Sequence, residues 1–442
     1  MASQYRLSPL TSITKDQDTY TLTFWGAYQE PLVYLLDAHA HPLFTLIESG
    51  DPFCTPFAGE FAKDFEELVA DQVLVPEDWD RNKAIAGYIA AINNPTHLHL
   101  IILPAGTACN CRCVYCGQDH HGQVMTWAHE GQAILRFIEE RAPKTLHIEF
   151  FGGEPLLAES FILRLCDELN RLGRRTGMEF AGTMTTNGTL LNVDTFKALL
   201  SQGVREYQIT LDGKEEHHNR QRPLANGANS YQQTLGNLIA IKDVEDEYVV
   251  DVRMNFDSLS GQADLISDHL REIKEWIGVD DRFRIRFRPA FDWSGNIETK
   301  NLCSKMQAKN STMEFNAIAQ QMGFQMADVG MWAVGGHACY AGRSNSFVIE
   351  PGLNVKKCTI SESEDNIVGK ISRDGKLETN HNMNKWVKNH VSKYDKCNNC
   401  AWMPICLNVG CPLIDINGGV NCLHENYSAD EVTKLISGCI VA

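Results

Sequence analysis

No apolar run in this sequence approaches the roughly 20 residues that cross a bilayer, which argues against a membrane-spanning helix. Its opening residues, Met1-Ala2-Ser3-Gln4-Tyr5-Arg6, lack the apolar stretch of a secretion signal, so a cytoplasmic protein is expected. Blocks of basic residues are missing too. With 40 Lys and Arg against 56 Asp and Glu the formal charge is −16, a field that repels phosphates and disfavours a nucleic-acid partner. Positive charge is scarcest at the start. Residues 1–80 hold three basic side chains, Arg6, Lys15 and Lys63, against fourteen acidic ones, a net of −11.

Cysteine, by contrast, is plentiful. A reducing cytosol keeps thiols free, so fifteen cysteines there point to metal or catalysis rather than to disulfides, and the odd count leaves no complete pairing. A chain of 442 residues also exceeds one ordinary core, and two or three domains are expected.

The densest group is Cys109-Asn110-Cys111-Arg112-Cys113-Val114-Tyr115-Cys116. It follows the apolar run Leu98–Leu103, read as a buried strand ending at Pro104. Four thiols in eight residues match no packing period, and a soft-metal site is the natural reading.

From residue 96 strands and helices alternate, the pattern of a parallel α/β architecture. The expected strands are 97–103, 146–151, 179–185, 207–211, 249–256 and 283–288. Helices are expected within 127–141 and over 161–172, 193–201, 231–241 and 263–277. Six repeats suggest an incomplete, partial (β/α)6 barrel, with its chemistry at the carboxyl ends of the strands. Each of those ends is distinctive: the cysteine cluster, Gly152-Gly153-Glu154-Pro155, Thr185-Thr186-Asn187-Gly188, Thr210-Leu211-Asp212-Gly213, Arg253-Met254-Asn255 and Arg286-Phe287-Arg288-Pro289. Before this region, strands at 20–25 and 32–36, a helix within 57–70, a short strand at 73–76 and a helix near 82–91 make a small α+β unit. After about residue 330 the periodicity fades and cysteines return at 339, 358, 397, 400, 406, 411 and 422. A segment so poor in apolar runs plausibly depends on metal for its fold.

The spacing Cys109-x-x-x-Cys113-x-x-Cys116, with the aromatic–cysteine pair Tyr115-Cys116 and the Gly-Gly-Glu-Pro turn, resembles the radical S-adenosylmethionine enzymes. In that family three thiolates hold three irons of a [4Fe–4S] cluster, and the fourth iron takes the amino and carboxylate end of S-adenosylmethionine. The resemblance implies cleavage to methionine and a 5′-deoxyadenosyl radical, which removes a hydrogen from the substrate. The protein positions the reactants and excludes side reactions. Cys111 is an extra thiol in this register, read as a bystander pointing away. A zinc knuckle or buried thiols are the bland alternative.

The same resemblance assigns further roles. Tyr115 belongs with the cosubstrate-binding residues. Gly152, Gly153 and Glu154 resemble the turn that takes the methionine ammonium through backbone carbonyl and carboxylate. Thr210-Leu211-Asp212-Gly213 with His218-Asn219-Arg220-Gln221-Arg222 is similar to the Ser-x-Asp-Gly and His-Asp-x-x-Arg signature of peptide-modifying members. On that match Thr210 contacts ribose and Arg222 the cosubstrate carboxylate. Asn219 replaces the signature aspartate, so no carboxylate role transfers there. Asn187 either lines the same pocket or only ends its strand. No catalytic base is assigned.

The later cysteines resemble the SPASM domain, an extension that usually holds two auxiliary [4Fe–4S] clusters. By position Cys397, Cys400, Cys406 and Cys422 would hold the outer cluster, and Cys339, Cys358 and Cys411 the inner one, with Cys303 or substrate as a possible fourth ligand. Two loop spacings are one residue longer than usual, and zinc is the structural alternative. The expected domains are therefore 1–95, winged-helix-like and similar to leader-peptide recognition elements that add a peptide as an extra strand; 96–330, the partial barrel; and 331–442, the auxiliary-cluster domain. An acidic docking or lid domain is the other reading of 1–95, whereas a leader partner would carry basic residues.

The implied protein is a peptide-modifying oxidoreductase using S-adenosylmethionine, three [4Fe–4S] clusters and a reductant such as flavodoxin or ferredoxin. It would install a crosslink (thioether, carbon–carbon or carbon–oxygen) in a ribosomally made precursor. The alternatives are a maturase forming formylglycine on a sulfatase-like protein, and a non-catalytic iron–sulfur or zinc protein of electron transfer or interaction. Replacing Cys109, Cys113 and Cys116 together with Ala should abolish 5′-deoxyadenosine formation by the anaerobically reconstituted, reduced protein. Replacing Cys111 alone should leave most of it, as measured by chromatography of the products.

Overall fold

A computed structural model describes residues 4–24, 32–36, 40–290, 301–327, 339–387, 397, 400–403, 411–419, 422, 428 and 431. They divide into two compact units.

The first unit takes in described residues of 1–94, 328–343 and 387–442. Its strands are β1 (Tyr5–Leu7), β2 (Thr11–Asp16), β3 (Thr19–Phe24), β4 (Leu32–Leu36) and β5 (Leu74–Pro76). β2, β3 and β4 form an antiparallel meander, and β1 pairs with β5. Thr11–Asp16 was not foreseen as a strand, because its polar Thr-Ser-Ile-Thr-Lys-Asp run carries little apolar signal. Helices Ala62–Ala70 and Arg81–Ile92 complete the α+β layer. Leu22, Phe24, Phe44, Phe65 and Leu68 form its core, joined by Met403 from the cysteine-rich end of the chain.

In the second unit β6 (His97–Ile102), β7 (Thr145–Phe150), β8 (Glu179–Thr186), β9 (Val204–Thr210), β10 (Val249–Phe256) and β11 (Phe283–Pro289) lie side by side, all parallel and in chain order. This is the expected α/β partial barrel. The connecting helices, Gln132–Arg141, Glu159–Thr176, Val193–Ser201, Ser230–Lys242 and Ala263–Trp276, fall within a few residues of expectation. The sheet continues beyond both ends of the repeat. β12 (Gln325–Met326) joins β11, and β13 (Ser346–Ile349) runs parallel to β6, followed by the antiparallel β14 (Asn354–Lys356), β15 (Ile367–Ile371) and β16 (Leu377–Thr379). Cys358, just after β14, thus sits in the barrel unit, whereas Cys339 and Cys411 sit in the other.

The barrel strands have two chemically distinct faces, as the period of two requires. On β10, Val250, Val252, Met254 and Phe256 are buried, while Asp251, Arg253 and Asn255 take the other face. On β11, Phe283, Ile285 and Phe287 alternate with Arg284, Arg286 and Arg288. The apolar face packs under the helices. Phe315, from helix Lys305–Gln321, meets Phe256 and Phe287 edge-on with ring centroids 5.0 and 5.5 Å apart. Phe287 is therefore core, and Trp402 is likewise buried. Among the described residues no helix is long and apolar enough to cross a membrane.

Phe315 is fully buried at this joint. Phe315→Ala should cost about 3–5 kcal/mol of stability through the cavity it leaves, read as a lower denaturation midpoint at unchanged slope.

Candidate active site

The loop after β6 is held against the turn after β7 by backbone alone. Gly153 N–H donates to the Gly106 carbonyl at 2.9 Å and Glu154 N–H to the Ala108 carbonyl at 2.8 Å. The approach needs glycine. A Cβ on Gly153 would stand 2.1 Å from the Ala108 oxygen, and Gly152 holds φ at +114° with a Cβ position 2.5 Å from the Gly106 oxygen.

This clamp sets the cysteine loop at the mouth of a cavity. Cys109, Cys111, Cys113, Tyr115, Cys116, Gly152, Gly153, Asn187, Thr210 and Arg222 all line it, together with Thr185, Thr186, Arg253 and Asn255. The ends of five strands, β6 to β10, thus converge, as parallel barrels dictate. No three His, Cys, Asp or Glu side chains among the described residues are grouped to hold one metal ion. Three thiols that open on one cavity suit a cluster whose irons each take one sulfur.

Cys111 corrects the expectation that it points away. It is buried, lines the same cavity, and its backbone N–H donates to Cys109 Sγ at 3.3 Å. Hydrogen bonding with the Cys111 thiol pulls the Cys109 and Cys113 thiols down, and the same contacts, with burial, push Cys111 up. Burial pushes the Cys116 thiol up.

Beneath the cysteines runs a buried polar circuit. The Tyr115 hydroxyl donates to Asp212 and accepts from Arg222 at 2.6 Å and from Asn255 at 3.1 Å. Asp212 also accepts the Asn255 backbone N–H at 2.6 Å, and its own N–H donates to His218 Nδ1 at 3.0 Å. Burial works against the Arg222 charge, but Cys113, Tyr115 and Asp212 more than offset it. Tyr115 therefore orients Arg222 rather than presenting a free hydroxyl.

Glu154 departs from expectation in a different way. Its carboxylate does not line the cavity; it is fully buried and accepts from Leu156 N–H (3.0 Å), Thr186 Oγ (2.8 Å) and Asn187 N–H (2.8 Å). Burial pushes its carboxyl up to about 7 against those three donors. What the turn offers the cavity is glycine backbone. Asn187 does line the cavity, donating to Asn110 Oδ1 at 2.7 Å and lying 3.8 Å from Cys109 Sγ.

The region matched by the family profile of the radical SAM superfamily is 103–257. Those residues belong to the radical SAM superfamily. A serine-type anaerobic sulfatase-maturating enzyme of Klebsiella aerogenes is 30% identical over 147 residues, 32% of this chain and 36% of that relative. The chain thus spans about a third of the length of that enzyme. A cysteine-type counterpart from Clostridium novyi is 24% identical over 334 residues, 70% of this chain and 86% of the relative. Two solved structures share the fold. Native anSMEcpe with bound AdoMet superposes with a TM-score of 0.59 at 17% identity, over 78% of this chain and 98% of its own. Streptococcus suis SuiB bound to its precursor peptide SuiA gives 0.52 at 14% identity, over 98% of this chain and 100% of that one. Arg253 and Asn255 line the cavity but were named by sequence reasoning without a role; their strand-end position was the available signal.

The later cysteines are placed in part. In the first unit Cys400 lies in the electrostatic reach of Cys397 and Cys422, and Arg81 donates to the Cys397 and Cys400 carbonyls, each at 3.0 Å. Cys406 and Cys439 lie outside the described residues. Cys411 caps the short helix Pro412–Ile416, and Cys339 precedes the turn Tyr340–Gly342. Cys358 opens on a second cavity of the barrel unit. Cys303 is buried with its thiol 3.7 Å from the Phe256 carbonyl oxygen, while Cys166 is plain core.

Gly153→Ala should force the turn off the cysteine loop. The expected result is a fold that survives with its cluster content and 5′-deoxyadenosine formation reduced at least about tenfold, since no side chain can yield to a backbone clash. Iron and sulfide analysis beside a thermal melt checks it.

Proposed function

We propose that this protein is a radical S-adenosylmethionine enzyme that modifies a ribosomally made precursor peptide. The observation that carries this reading is the convergence of Cys109, Cys113 and Cys116 with Gly153, Thr210 and Arg222 on one strand-end cavity. The three thiols would hold the radical-generating [4Fe–4S] cluster. Gly152 and Gly153 backbone would receive the ammonium of S-adenosylmethionine, Thr210 its ribose, and Arg222, oriented by Tyr115 and Asp212, its carboxylate. With both bound, the cluster and cosubstrate supply a 5′-deoxyadenosyl radical that takes a hydrogen from the peptide. The residues' part is to align reactants and keep water away.

The likeness to SuiB bound to its precursor peptide, over nearly the whole chain, supports a precursor peptide as substrate. The product would be a thioether, carbon–carbon or carbon–oxygen crosslink. The acidic α+β region, 1–95, would hold a leader with basic residues, and 331–442 two auxiliary [4Fe–4S] clusters on the cysteines assigned above. Flavodoxin or ferredoxin would supply electrons in the cytoplasm. Its sulfatase-maturating relatives favour a second reading, oxidation of cysteine or serine to formylglycine.

Co-expression with a short peptide encoded beside this gene, followed by mass spectrometry, separates them. Loss of a hydrogen pair per crosslink is expected; an aldehyde trapped by a hydrazide probe would favour the sulfatase-type reaction. Absence of 5′-deoxyadenosine from the reduced, reconstituted protein would overturn both.

A further inference from the structure

The cysteine loop has an outer face as well as an inner one. Residues 111–114 run antiparallel beside 221–224. Cys111 bridges Leu224, Arg112 N–H donates to the Pro223 carbonyl at 2.8 Å, and Val114 N–H donates to the Gln221 carbonyl at 2.9 Å. An extended segment sends alternate side chains to opposite sides. Cys111, Cys113 and Tyr115 line the cavity, whereas Arg112 and Val114 between them are exposed, Val114 by 46%. The neighbouring segment divides in the same way. Arg222 turns in to Tyr115, while Arg220, in the last turn of helix Glu215–Gln221, is exposed.

Among the described residues the partners of both outward arginines are neutral. Arg112 donates to the carbonyls of Cys109 (2.6 Å) and Cys111 (2.8 Å). Arg220 donates to His217 Nδ1 at 2.9 Å, a ring that burial holds toward its neutral form. The carboxylates nearby in sequence have other engagements or stand apart. Glu215 accepts from the side-chain amides of Asn229 and Gln232, and Asp119 accepts from the Thr107 hydroxyl and the His121 N–H. Glu216 lies one turn back along the helix from Arg220, and Lys214 pairs with Asp268 at 3.4 Å. One layer of backbone therefore separates the cysteine side chains from solvent, and on its outside stand two cations and an exposed valine. A chain of formal charge −16 repels an acidic protein at long range, so close approach by one depends on local positive charge.

We propose that the outer face of the cysteine loop, with Arg112, Val114 and Arg220, is where a small acidic one-electron carrier protein docks. This rests on the radical reading above and adds the surface by which the reductant reaches the site. In the step itself the carrier's anionic flavin hydroquinone gives one electron to the oxidised [4Fe–4S] cluster proposed on Cys109, Cys113 and Cys116. The flavin becomes the neutral semiquinone, and no bond forms or breaks. Guanidiniums suit the carboxylates of such a partner, and charges at the rim of an interface act chiefly on the rate of encounter.

The test uses reconstituted holoenzyme and two reductants, flavodoxin hydroquinone and dithionite. Bleaching of cluster absorbance is followed by stopped flow, and binding of oxidised flavodoxin, which needs no turnover, by calorimetry. With Arg112→Gln and Arg220→Glu combined, the ratio of flavodoxin-driven to dithionite-driven reduction should fall at least about tenfold, and flavodoxin should bind more weakly. In the unaltered protein the flavodoxin rate should drop as salt rises from about 50 to about 300 mM, because screening removes the attraction. Arg220→Glu alone, whose guanidinium bonds His217 rather than the cysteine loop, keeps the test decisive if Arg112→Gln costs the cluster. Equal slowing with both reductants assigns the arginines to upkeep of the loop and overturns the docking site. A flavodoxin rate indifferent to salt and to both substitutions overturns it too, and leaves the radical reading standing. Absence of 5′-deoxyadenosine with dithionite in the unaltered protein overturns the radical reading and this inference together.

Discussion

Everything at the active end of this molecule hangs on a contact made without side chains. The carbonyls of Gly106 and Ala108 accept the N–H groups of Gly153 and Glu154, and only glycine lets the two loops come that close. The contact fixes where the cysteine loop leaves β6. That in turn sets where three thiols stand relative to the ends of β7 to β10. A loop of eight residues with four cysteines has many arrangements of its own; the turn after β7 selects one of them. Rigid strands then supply the precision that loops lack.

Most of the barrel was legible from periodicity. Six strands and their helices were found because buried strands and amphipathic helices repeat with different periods. The failures are as physical as the successes. β2 was missed because Thr, Ser and Lys on a two-sided, half-exposed strand look like loop. β13 to β16 were missed because they are short and follow a region where cysteines, not apolar runs, dominate the pattern. That β13 docks on β6 is a long-range pairing, and sequence spacing carries no trace of it.

At the site, spacing and a family resemblance pointed to three thiols, while the neighbours around them came from register. Cys111 was set aside for lacking a place in the repeat, yet it is buried in the same cavity and its backbone N–H reaches Cys109 Sγ. Glu154 was expected to face the cosubstrate by analogy with an acceptor-rich turn; three buried donors claim it instead. Arg253 and Asn255 needed the parallel pairing of β9, β10 and β11 before they could be placed beside Thr210 and Arg288. A motif lists residue types, whereas partners are a property of three dimensions.

The Tyr115 circuit has a thermodynamic reach beyond the orientation of one arginine. Tyr115 lies in the cysteine loop, Asp212 follows β9, Asn255 is on β10 and Arg222 ends a helix, so one set of hydrogen bonds ties the cysteine loop to three later segments. Any event that orders the loop lowers the entropy still to be lost at the others, and the converse holds with equal magnitude. Were iron and cosubstrate held at these segments as proposed, their affinities would rise and fall together, each ligand priming the polypeptide for its companion.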